Sequence, residues 1–338
     1  MKRRKWYLQV FISLAVMIVL ILDPSTARQG VSEGLEVCIR TIIPALFPFF
    51  ITTTYLNASL LGHSVPMLHL LVKTLHIPKG GDSLLLLGLI GGYPVGAQFI
   101  AQAYHNQQIS KRTSNILLGY CSNAGPAFIF GITASIFSSV YFSILLWVLH
   151  IVSALITGYF LPRPNIEQIS WNHIEKNTIS SALKKSLNIC AFVCGWVITF
   201  KVILSYLVIM LASCNDDTLK VLLVGFIELS NGCLQLAEIP SVSLRFVLCS
   251  VFLSFGGLCV LLQTVSATEA LGLGLYIHGK IIQTTISAIM SILLSYILFP
   301  NDTIALSCAE IIIILCIVIL LIAKEATKRY SNSTENSV

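Results

Sequence analysis

Two long apolar stretches of this chain are each interrupted near the middle, and few architectures tolerate that. The first reads Leu87-Gly88-Leu89-Ile90-Gly91-Gly92-Tyr93-Pro94-Val95-Gly96-Ala97-Gln98. The second reads Val224-Gly225-Phe226-Ile227-Glu228-Leu229-Ser230-Asn231-Gly232-Cys233-Leu234-Gln235. Glycines, a helix breaker or a carboxylate inside membrane-length apolar sequence survive only where protein or a water-filled cavity solvates them. Paired breaks at corresponding places in two halves point to a transporter's binding site near the bilayer midplane.

Composition agrees with that setting. The chain is 56% hydrophobic and 11% charged, with a mean hydropathy of +0.85; soluble domains carry about 25% charged residues. It reads as an all-α polytopic membrane protein. The net charge of +6 comes mostly from short loops and the two ends. There Lys and Arg orient helices, so the charge implies no nucleic-acid partner. Ten cysteines are scattered singly. Cys190 and Cys194 share a helical face, yet read as small packing residues rather than a metal pair. No P-loop, HExxH, nucleophile elbow or zinc spacing occurs, so neither an enzyme nor a bound cofactor is expected.

Loop charges order the spans. Residues 1–28 hold Lys2-Arg3-Arg4-Lys5 and an apolar run, either a retained first transmembrane helix or a signal peptide, with the helix favoured. Residues 29–161 form a first repeat, with spans at about 42–61, 114–137 and 139–161. Residues 162–186 form a cytoplasmic loop with an interfacial helix, and 187–300 a second repeat, with spans at about 187–211, 242–263 and 281–299. Residues 301–338 supply a final span and a basic cytoplasmic tail. The stretch before Gly91 and the stretch after Pro94 are each about nine residues, too short to cross at about 1.5 Å per residue. Residues 82–104 therefore read as a re-entrant hairpin, as do 220–240. Basic loops then fall on one side, with both termini cytoplasmic. Each half becomes span, hairpin, broken span, span, and the two hairpins enter from opposite faces, an inverted repeat. A loop with Glu269, His278 and Lys280 reads as cytoplasmic, and residues 28–40 as another interfacial helix.

Glu228 is the leading binding residue, at the second tip beside Ser230 and Asn231. A carboxylate there accepts hydrogen bonds from a polar solute, holds a cation or takes up a proton; the plainer role is to cap a helix end. Gly91, Tyr93 and Pro94 form the opposing tip, where glycine permits close approach and proline removes a donor. Asn123-Ala124-Gly125-Pro126 and Ser254-Phe255-Gly256-Gly257 unwind the adjacent spans. Asn123 and Ser254 join the candidate set, with Gln98 and Gln263 behind them. Candidate coupling ions are H+ or Na+. Lys201 and Arg245 read as snorkelling residues, His150 as a hydrogen-bonded core histidine and Glu310 as a structural ion-pair partner.

These motifs, with Ile43-Pro44-Ala45-Leu46-Phe47-Pro48-Phe49-Phe50, resemble in order those of the YlbJ-type sporulation integral membrane proteins, over about residues 40 to 265. That family belongs to the nucleoside-recognition, or Gate, group. The resemblance implies a multi-pass protein of a bacterial cell membrane or a sporulation-specific membrane, with a role in the spore cortex. It also implies kinship with carriers in which two hairpin tips meet at a nucleoside-like solute. The expected function is a carrier for a small polar solute, its other partners the lipid bilayer and, as a candidate, further copies of itself. The alternative is a non-transporting assembly or scaffold protein needed for sporulation.

Overall fold

Asp23 ends the first helix and starts the second. Helix α1 (Lys2–Leu22) stops there; the Asp23 carboxylate accepts from the Thr26 N–H, and Pro24 takes the first helical position, where its missing N–H costs nothing. From there α2 (Pro24–Val37), one π-helical turn (Cys38–Ile42) and α3 (Ile43–Leu60) run on without a gap. The structure, a computed structural model, describes residues 2–60, 63, 65–164, 169, 178–212, 216–269, 271–302, 316–325 and 327.

The expected interfacial helix over residues 28–40 is therefore the first part of a helix long and apolar enough to cross a membrane, Pro24–Asn57. Its glycines and Glu33 face a neighbouring helix, while Arg28, Glu36 and Arg40 stay exposed. A methyl group at Gly30 would lie 2.8 Å from the Val202 Cα, and one at Gly34 would lie 3.0 Å from the Ile198 Cα. The Lys201 ammonium meets Glu33 at 3.0 Å. Small residues let two backbones approach where the hydrophobic effect offers no drive. The partner is α10 (Ile179–Met210), which runs without a break through the expected interfacial segment, residues 179–187.

After a short helix α4 (His69–Thr74) come α5 (Asp82–Ile90) and α6 (Val95–His105), joined by Gly91–Pro94. Gly92 has φ +79°, and the Tyr93–Pro94 peptide is cis. The two arms fold back on each other, Gly96 against Gly88. Next are α7 (Lys111–Leu118), an unwound segment and α8 (Pro126–Phe137), then α9 (Val140–Phe160). The same order follows α10. Helices α11 (Asp217–Ile227) and α12 (Leu229–Gln235) turn at Glu228. Helices α13 (Val242–Phe255) and α14 (Gly257–Ala267) are split where Gly256 and Gly257 have φ of +85° and +78°, and α15 (Gly274–Leu298) closes the half.

Five described helical stretches are long and apolar enough to span a bilayer: Pro24–Asn57, Val140–Phe160, Ile179–Met210, Val242–Ala267 and Gly274–Leu298. The chain is a polytopic helical membrane protein. Helices α8 and α9 are bridged by Thr133 and Ser143 at 2.6 Å, and α13 and α15 by Ser250 and Ser287 at 2.6 Å. Hydroxyl pairs of this kind hold helices together in lipid. The expected final span falls largely outside the described residues, and Glu310 with it; residues 316–325 are helical.

Candidate functional site

Each tip is seated on the unwound segment that follows it. Cys121 lies between Gly88 and Gly96, so a side chain on either glycine would strike its backbone. Gly92 and Gly125 meet backbone to backbone. In the second half Gly225 faces the Phe252 ring, and Gly257 abuts the carbonyls of Gly225 and Ile227. The glycines that flank the breaks are what allow this approach.

The two tips then share one narrow cavity. Gly92 and Tyr93 line it from the first tip, Glu228, Leu229 and Ser230 from the second. Ala124 and Gly125 contribute from the first unwound segment and Gln263 from α14, while Ile42, Leu46, Val193 and Val197 close it from α2–α3 and α10. Its space for water centres is about 30 Å³. That admits water or a small ion and falls far below the roughly 300–1,000 Å³ of ordinary small-molecule sites. A nucleoside-sized solute therefore needs the tips to move apart.

Glu228 is 1% exposed, and both of its oxygens accept hydrogen bonds. One oxygen accepts from the Ser230 N–H at 3.0 Å; the other accepts from the Asn231 N–H at 2.7 Å and its Nδ2 at 2.6 Å. The carboxylate thus caps α12 as well as facing the cavity. Asn231 belongs to the site through that contact, and Ser230 through the cavity wall.

Asn123 and Ser254 stand behind the wall. The Asn123 amide donates to the carbonyls of Tyr120 (2.7 Å) and Gly88 (3.2 Å), tying the unwound segment to the first hairpin. Ser254 lies 3.4 Å from His150 Nδ1, and His150 Nε2 accepts from the Ala124 N–H at 3.0 Å. His150 therefore bridges the breaks of both halves. Gly91 and Pro94 shape the first tip without lining the cavity. Gln98 sits on α6, partly exposed, and is not brought into the site.

Lys280 is the residue that reading by loop charge misplaces. It belongs to no loop: α15 begins at Gly274, and Lys280, two turns in, is 3% exposed. Its ammonium donates to the Tyr93 hydroxyl and to Gln283 Oε1, each at 2.8 Å, and lies 4.9 Å from the Tyr93 ring centre. Gln283 Nε2 in turn donates to Asn123 Oδ1 at 2.9 Å. The signal available in sequence is that residues 274–298 continue through Lys280 and Gln283 with no proline to end a helix. Lys201 is likewise no snorkelling residue; it pairs with Glu33 and borders a second cavity of about 310 Å³ with Gln29, Ser205, Val224 and Gln235. Arg245 donates to the carbonyls of Ile239 and Pro240. Cys190 and Cys194 form no disulfide, and no metal-ligand group of three His, Cys, Asp or Glu occurs among the described residues.

No family model and no solved structure matches the chain. Over 138 residues, 40% of its length, it is 28% identical to the sporulation integral membrane protein YlbJ of Bacillus subtilis (strain 168), and the match spans 34% of that protein. The chain is a membrane protein related to a sporulation integral membrane protein.

Proposed function

We propose that this chain is a membrane solute carrier acting in spore formation. In this reading its halves are related by inversion, and its two hairpins are re-entrant, entering from opposite faces to meet at a midplane solute site. The reading is of a carrier and not of an enzyme. One observation carries it: both tips line one cavity, and each tip rests on the broken helix of its own half. Unwound backbone at that depth is costly in lipid and is at home beside a solute path.

The charge on the cavity wall is the Glu228 carboxylate, which also caps α12; the buried Lys280 ammonium stands behind Tyr93, outside the wall, and meets neutral partners. The reading is therefore of a small polar solute, with a nucleoside-like molecule as one candidate. The 310 Å³ cavity supports an access route. It touches Lys201 and Val224, each one helical turn from a residue of the central cavity, Val197 and Glu228.

Thermal stabilisation of the purified protein by a metabolite panel tests the reading, with proteoliposome uptake of any stabilising compound. Ser230→Ala and Gln263→Leu alter the wall without touching the α12 cap, and both should weaken stabilisation and uptake at least tenfold while circular dichroism stays unchanged. A solute that protects both variants as well as the parent, or a panel without any binder, moves the assignment to an assembly or scaffold role.

A further inference from the structure

Lys280 poses a question that a carrier function does not answer by itself. An ammonium buried in a low-dielectric interior is expensive, and an ionic partner usually offsets the cost. Here no carboxylate lies within ion-pair distance of it among the described residues. Its ligands are instead one phenolic oxygen, one amide oxygen and two aromatic faces, Tyr93 at 4.9 Å and Tyr276 at 5.8 Å from the ring centres. Neutral oxygens and ring faces are the surroundings that suit a bound monovalent cation.

The position matters as much as the donors. Tyr93 comes from the first tip, and its hydroxyl also reaches the Leu253 carbonyl in the second half at 3.5 Å. Gln283 passes the contact on to Asn123 in the first unwound segment. The ammonium itself joins α15 to the first tip; Gln283 of the same helix holds the first break, and the Tyr93 hydroxyl reaches the helix end beside the second break. A bound alkali cation at this point would join α15 and the first tip by the same two oxygens. Lys280 does so from a covalent tether, with no binding step.

We infer that Lys280 is a resident cation, standing where a dissolved coupling cation would otherwise be recruited, so that this protein closes around its solute without Na+. The link to solute rests on the carrier reading above; the cation role does not, and it is tested without any solute.

The test is the melting temperature of the purified full-length chain in detergent. The parent protein should melt at the same temperature in NaCl, KCl and choline chloride of equal ionic strength. Lys280→Ala removes a propylammonium group and should lower the melting temperature; propylammonium chloride should restore most of the loss in a saturable manner, and the neutral propanol should not. Lys280→Met keeps the buried stem without the charge, and should show the same loss with no response to propylammonium. Specific stabilisation of the parent by Na+ overturns the inference. So does a Lys280→Ala protein rescued equally by propanol or not rescued, or a Lys280→Met protein as stable as the parent. If Lys280→Ala does not fold, the salt series and Lys280→Met decide. Failure of the metabolite panel with success here would discard the carrier and keep the cation.

Discussion

A methyl group at position 232 would sit 2.1 Å from the Gly225 Cα, closer than any real side chain comes to a backbone. Gly232→Ala should therefore spread the second hairpin and lower stability by about 1–3 kcal/mol, the usual cost of overpacking. Gly195→Ala, inside α10 where nothing lies within 4 Å, should leave stability to thermal unfolding unchanged or raise it by up to about 1 kcal/mol, since Ala is the better helix former. Asn123 makes a second test at this scale. Asn123→Ala takes the donor from the Tyr120 and Gly88 carbonyls and leaves Gln283 Nε2 only the His150 carbonyl at 3.5 Å, at about 1–3 kcal/mol by the same melt. Glu228 stood out in sequence because a carboxylate amid apolar residues is conspicuous. Its cap on α12 was legible as the plainer role, since Ser230 and Asn231 follow at the spacing whose N–H groups a capping side chain reaches. Nothing local says that Tyr93 and Lys280 touch, for they lie 187 residues apart in the chain.

Among elements, the seam between α2 and α10 depends on two glycines one turn apart, Gly30 and Gly34. Replacing both by leucine should separate the helices and strand the Glu33–Lys201 pair. The expected result is a lower melting temperature together with greater reactivity of Cys38, which is buried beneath the seam, toward a membrane-permeant maleimide. An unchanged melt and a silent Cys38 would show that the seam carries little. Charge read alone is ambiguous in this element too. Arg28, Glu33, Glu36 and Arg40 make residues 28–40 look like a helix lying on a surface; Arg28, Glu36 and Arg40 are exposed, but Glu33 is matched by Lys201 of α10 and the helix runs on into a membrane-length stretch. Polarity alone cannot tell a water-facing side from one matched by a neighbouring helix. The same ambiguity put Lys280 in a loop, because a basic residue near the start of an apolar run counts as its flank unless the helix start is known.

At the scale of the whole molecule, the proposed topology makes a prediction that no single residue does. If both hairpins return to the face they enter from, single cysteines at Lys73 and Lys111, in a cysteine-free background, label from one side of the membrane. Cysteines at Asp217 and Glu238 then label from the other, all four being exposed positions. Labelling of Lys111→Cys from the side opposite Lys73→Cys would make the first stretch a crossing and end the inverted arrangement. The membrane class, the helical content and the places where helices break were determined by sequence alone. Apolar run length, glycine, proline and isolated charge act through local backbone chemistry, and a chain carries that information without reference to its partners. Tertiary structure alone decided what the breaks face. It brought Gly92 to Gly125, Gly257 to Ile227 and both tips to one cavity, and it placed Lys280 behind Tyr93. Those contacts depend on how whole helices pack, and helix packing in lipid is set by close backbone approach and interhelical hydrogen bonds that no window of sequence contains.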